Sequence, residues 1–150
     1  MVEREHILEY LRSTLKESLG ASVTVTRNLR KAASVTNVPA VFLVDGGDEV
    51  MERASGPISK KRMHLGISTF FQGSTEENAA AELAEFEKEI LKALYGEQIT
   101  RNVGTTYVGS LYQTKLSELS FPEDTSPRVV NRKMSFEILF VEDIRRLFTE

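Results

Sequence analysis

Two stretches of alternating polar and apolar residues, 60–72 and 129–141, constrain this chain more than anything else in it. In the first, Met63, Leu65, Ile67 and Phe71 fall on one side of an extended strand, with Arg62, His64, Gly66 and Ser68 on the other. In the second, Val130, Met134, Phe136, Ile138 and Phe140 share a side. Successive side chains of a strand point to opposite faces, so this alternation marks a sheet with one buried face. Each stretch runs about thirteen residues, where an ordinary strand has about 5–6. Their second faces are not wholly polar, because Phe70 lies on one and Val129, Leu139 and Val141 lie on the other. One helical layer leaves such residues uncovered, and a neighbouring subunit is the expected cover.

The cover for the first face is also in the sequence. Ile7, Leu8, Leu11, Leu15 and Leu19 recur at spacings of three and four, which predicts an amphipathic helix over residues 3–19 with Gly20 as its C-terminal cap. Ala79, Ala80, Leu83, Phe86, Ile90, Leu91 and Leu94 predict a second helix ending before Gly96. Ser74-Thr75-Glu76-Glu77 has capping-box spacing at its start, and the six Glu and two Lys between 76 and 92 are expected on a solvated outer face. Val23 and Val25 mark a short strand, and Val38 to Val44 a β-run opened by Pro39. Asp45-Gly46-Gly47-Asp48 predicts a hairpin turn with a returning strand at 49–52, and Ser55-Gly56-Pro57 a further break. Residues 106–116 predict another strand; 28–37, 97–105 and 121–127 predict loops, and 142–150 a short helix or docking tail with Ile144, Leu147 and Phe148 as its apolar residues. No repeat, linker or shift of composition divides the chain, so residues 1–150 form one domain. The expected fold is α+β: a mostly antiparallel sheet of about five strands with two amphipathic helices on one face.

The chemistry is sparse. The chain has no Cys, no Trp and two His, which excludes thiol nucleophiles, Cys-ligated metals and disulfides. His6 and His64 are expected to face solvent, and no nucleophile-elbow sequence accompanies them. Asp45, Asp48 and Glu49 do not follow the calcium-loop spacing, and Gly46-Gly47 precedes neither Gly-Lys-Ser/Thr nor a helix. Lys60-Lys61-Arg62, Arg128, Arg132, Lys133 and Arg145-Arg146 are scattered among 22 acids and give a formal charge of −3, so a dedicated nucleic-acid binder is not indicated. The charged N-terminus is no signal peptide and no apolar run approaches a membrane span, so the sequence reads as soluble and cytoplasmic, with no cofactor or metal.

The order of elements resembles the tail terminator, or tail completion, proteins of long-tailed, siphovirus-type bacteriophages. Four stretches carry the resemblance: the opening helix 7–19; Pro39-Ala40-Val41-Phe42-Leu43-Val44; the strand 62–71 leading into the helix 76–94; and Met134-Ser135-Phe136-Glu137-Ile138-Leu139-Phe140. It spans nearly the whole chain and rests on pattern and order, while 28–37 and 97–105 match nothing in it. The resemblance implies an enzyme-free virion protein, assembled in the host cytoplasm and located at the head-proximal end of the tail. It implies a homohexameric ring that caps the tail tube protein, ends tube polymerisation and offers a joint to the head–tail connector protein. DNA passes the lumen without specific binding. Under this resemblance the candidate subunit or axial contacts are Asp45, Asp48, Phe70, Val129, Leu139, Val141, Leu147 and Phe148. Two alternatives stay open: a connector or neck protein of similar build, and a small enzyme or ligand-binding domain with a pocket between helix and sheet.

Overall fold

The computed structural model describes residues 3–27, 39–96, 102–103, 106–122, 128–143 and 145. The elements follow in the order α1 (Glu3–Leu19), β1 (Thr24–Thr26), β2 (Ala40–Ser55), β3 (Ile58–Gln72), α2 (Ala79–Gly96), β4 (Asn102–Val103), β5 (Thr106–Leu116) and β6 (Val129–Asp143). The strands form one sheet in the order β1-β2-β3-β6-β5-β4. Only β1–β2 is parallel, and the other pairs are antiparallel. The chain is therefore an α+β protein, with a sixth strand of two residues in a segment expected to be loop.

Both helices lie on one face of the sheet. Ile7, Leu8, Leu11 and Leu15 of α1 join Ile90, Ala93 and Leu94 of α2 over Val41, Leu43, Met63, Leu65, Ile67, Met134, Phe136, Ile138 and Phe140 in one buried cluster. These strand residues are the apolar phase of the alternation. Full burial of each such side chain contributes about 1.5–3 kcal/mol. Leu83, Ala79 and Val130 form a second cluster, joined by Phe71 and Leu119. α1 ends as expected: Gly20 has φ +89 and its N–H donates to the Lys16 carbonyl at 3.2 Å.

Three expectations are corrected. Asp45-Gly46-Gly47-Asp48 is not a hairpin turn, because β2 runs through it without reversing. The register steps from Asp45↔Leu65 to Asp48↔Met63, so one extra residue is held as a β-bulge. Gly47 takes φ +83 and its N–H donates to Asp45 Oδ1 at 2.8 Å. The chain reverses instead at Gly56-Pro57, where Ser55 pairs with Ile58. The capping box also differs: the acid that reaches back to Ser74 is Glu82, not Glu77. Its carboxylate accepts the Ser74 N–H at 3.1 Å and hydroxyl at 2.5 Å, because a turn over 76–78 delays the helix to Ala79. Within that turn Thr75 Oγ1 accepts the Asn78 N–H at 3.1 Å. Finally, Glu87 is not on the solvated face but 6% exposed.

Candidate interface and the polar row across it

Residues paired directly across strands share a face. Register thus places Lys60/Val141, Arg62/Leu139, His64/Glu137, Gly66/Ser135, Ser68/Lys133 and Phe70/Asn131 on the side away from the helices. The candidate interface residues divide along this open face. At one end Phe70 meets Phe42 edge-on with ring centroids 5.5 Å apart, and Val129 is buried. Val129 is therefore not an exposed second-face residue, and Phe70 is half-buried with an internal partner. Toward the other end Leu139 is half-buried and Val141 is 36% exposed. Val50 and Met51, about half exposed, lie on β2 nearby. Sequence reasoning missed these two. Their adjacency was the available signal, since two consecutive apolar residues in a strand point to opposite faces. Leu147, Phe148 and Ile144 lie outside the described residues, as do 28–37 and 123–127, both expected to be loops.

Asp45 and Asp48 are engaged within the molecule. Arg4 of α1 reaches Asp45 with Nε at 3.1 Å and Asp48 with Nη1 at 3.4 Å. Lys61 lies 3.9 Å from Asp48 and 2.7 Å from Glu142. The bulge aims two carboxylates at the start of the helix, so these aspartates anchor α1 to β2.

Across the middle of the open face runs a polar row. Arg62 lies between Glu49 (3.3 Å) and Glu137 (3.4 Å). His64 lies between the same acids, Nε2 at 3.4 Å from Glu49 and Nδ1 at 3.9 Å from Glu137. Tyr112 donates its hydroxyl to Glu137 at 2.6 Å, and that bond is the main cause holding its phenol above the usual range. Beside the row is a hollow of about 150 Å³ lined by Val44, Gly46, His64, Gly66, Thr114 and Lys133 among others. Gly66 permits it: a Cβ there would sit 2.5 Å from Lys133 Cε, so the lysine stem lies across bare backbone.

The row brings together an imidazole, two carboxylates and a phenol, but as alternating charges on an open sheet. The His64 side chain is 44% exposed, as expected. His6 differs from expectation: its Nε2 is buried and has no hydrogen-bond partner among the described residues. Among the described residues no group of three His, Asp or Glu side chains is arranged to hold a metal ion, and no helix is long and apolar enough to cross a membrane. No family model matches the sequence, and no curated protein matches it.

Proposed function

We propose that this chain is a ring-forming structural subunit of a long phage-type tail, which caps the tail tube, ends its polymerisation and provides the joint to the head connector. The observation that supports this best is the one-sided layering. Both helices cover one face of a long-stranded sheet, while the other face carries Leu139, Val141 and Tyr112 with no described element packed over them. Exposed apolar residues gathered on one face are characteristic of assembly surfaces. A contact repeated around a closed axis buries them in a ring.

In this role the partners are further copies of the chain, the tail tube protein and the connector protein, and the site of action is the head-proximal end of the virion tail. Termination requires one ring face that fits the tube and another that rejects it, which is specificity by mismatch as well as match. DNA must pass the lumen freely. Each added phosphate contact strengthens binding, and a formal charge of −3 is in keeping with free passage.

The test is light scattering and electron microscopy of the purified protein, alone and mixed with preformed tail tubes. Hexameric rings, free or seated on tube ends and blocking further growth, are expected. A strict monomer that leaves tube ends bare and growing overturns the reading. Rings that bind the connector but not the tube would transfer it to the neck.

A further inference from the structure

β2 and β5 are the long strands at the two sides of the sheet. β1 pairs with β2 only along residues 40–42, and β4 pairs with β5 only at Thr106 and Tyr107. Beyond these contacts, among the described residues, no strand pairs with the outer edge of β2 over 43–55 or of β5 over 108–116. A row of unpaired backbone N–H and C=O groups is a template for another strand. These two edges also carry much of the exposed apolar surface. Of the seven large apolar residues that are exposed among those described, Val50 and Met51 lie on β2 and Tyr112 and Leu116 on β5.

Three further features make the two edges fit one another. The first is direction: β2 is antiparallel to β3, β3 to β6 and β6 to β5, so β5 runs opposite to β2. A second copy set alongside, not turned over, presents its β2 to the first copy's β5 as an antiparallel pair, the more stable ladder. The second is charge: residues 43–55 hold four acids and one base, Arg53, whereas 108–116 hold Lys115 and no acid. Asp45, Asp48 and Glu49 have partners within the molecule, but these come from α1 and β3, not from the outer edge. The third is level: Asp45 pairs with Leu65, Leu65 with Phe136 and Phe136 with Gln113, so the bulge after Asp45 and the bulge after Gln113 begin in one row. In an unstaggered pairing these two interruptions lie back to back across that row, with further shifts at Val50/Glu52 and Arg53/Ser55 in β2 and at Val108/Ser110 in β5.

We infer that copies of this chain join head to tail, the β5 edge of one pairing with the β2 edge of the next, so that one sheet continues around the assembly. The inference rests on the ring reading above and adds which surfaces meet. Such a contact is heterologous, and it closes when the rotation between copies divides a full turn.

The test spoils one edge at a time. One variant carries Val50→Lys with Met51→Lys, the other Tyr112→Lys with Leu116→Lys, and circular dichroism checks that each folds. Each variant alone is expected to be monomeric, because the edge pairing needs both edges and the open face by itself is not expected to hold two copies together. An equimolar mixture is expected to form a one-to-one dimer and stop there, since each partner keeps one sound edge. Either variant closing a complete ring alone, or a mixture that stays monomeric while wild type assembles, overturns the inference and leaves the ring reading standing. A wild-type chain that never assembles overturns both. Should a variant fail to fold, hydrogen exchange on the wild-type assembly decides. Amides of both 43–55 and 108–116 are expected to exchange at least tenfold more slowly in the ring than after dilution to monomer, and unchanged exchange at either edge overturns the pairing.

Discussion

Glu87 sits between Leu83 and Ile90 on α2, and its carboxylate takes both Nε and Nη2 of Arg132 at 3.2 and 2.7 Å. The two side chains are 7% and 19% exposed, so a charged pair is held between helix and sheet. Desolvating two ions offsets much of their attraction, and such a pair is weak evidence of net stabilisation. Breaking it is another matter, since the survivor is left buried and unpaired. Glu87→Ala is expected to cost about 3–5 kcal/mol in urea denaturation, and Glu87→Leu with Arg132→Met to recover most of that. A cost under about 1 kcal/mol for the single change would mean that water reaches Arg132. The pair was legible in position and illegible in type. Glu87 continues the spacing 83, 87, 90, 94 of the apolar stripe, and Arg132 falls in the apolar phase of 130, 132, 134. Each residue taken singly argued for solvent, and only both together, in the wrong phase of their own elements, argue for each other. Gly73 is a parallel case: a Cβ there would lie 2.5 Å from Ala79 Cα, a close approach that no local pattern announces.

At the scale of elements, periodicity located the helices and long strands because burial acts on every second or every third to fourth residue. It did not locate the reversal of the β2–β3 hairpin. Asp-Gly-Gly-Asp supplies the same positive φ and side-chain acceptor to a turn and to a bulge, and the neighbouring strand's register decides between them. The packing of α1 is likewise secured by contacts distant in sequence. Arg27, just beyond β1, holds Glu5 through two hydrogen bonds of 2.6 and 3.1 Å. That bond is the largest cause lowering the Glu5 carboxyl below its ordinary 4.5, against the opposing effect of burial. A carboxyl whose folded pKa is depressed adds stability above its unfolded value and loses it as pH falls through the folded one. Wild type is therefore expected to exceed Arg27→Met in stability at pH 7, by under about 1 kcal/mol because the pair is solvent-screened. The gap should shrink as pH falls below about 4.5. Melting temperatures of both proteins from pH 7 to pH 3 check this, and a gap that stays constant to pH 3 removes the pair from the account.

For the whole molecule, the face that meets the helices was legible and the fate of the other face was not. Alternation assigns each residue a side without saying how deeply the ends of that side are covered. Val129 and Leu139 share the open face by register, yet Val129 is 6% exposed while Leu139 is half-buried. Strand order was beyond the sequence for the same reason, since pairing β6 between β3 and β5 depends on contacts far apart in the chain. Leu139 separates folding from assembly. It lies on the open face opposite Arg62, so Leu139→Asp places its new carboxylate where the single chain still offers water and a guanidinium. The monomer is expected to keep its circular dichroism and its urea midpoint, with a stability change within about 1 kcal/mol. In an assembly that buries this face the same carboxylate is desolvated, and self-association is expected to weaken at least tenfold, which corresponds to about 1.4 kcal/mol. Sedimentation over a concentration series reads that shift. A variant that unfolds would put Leu139 in the core, and one that assembles at wild-type concentrations would leave this face outside the ring contacts.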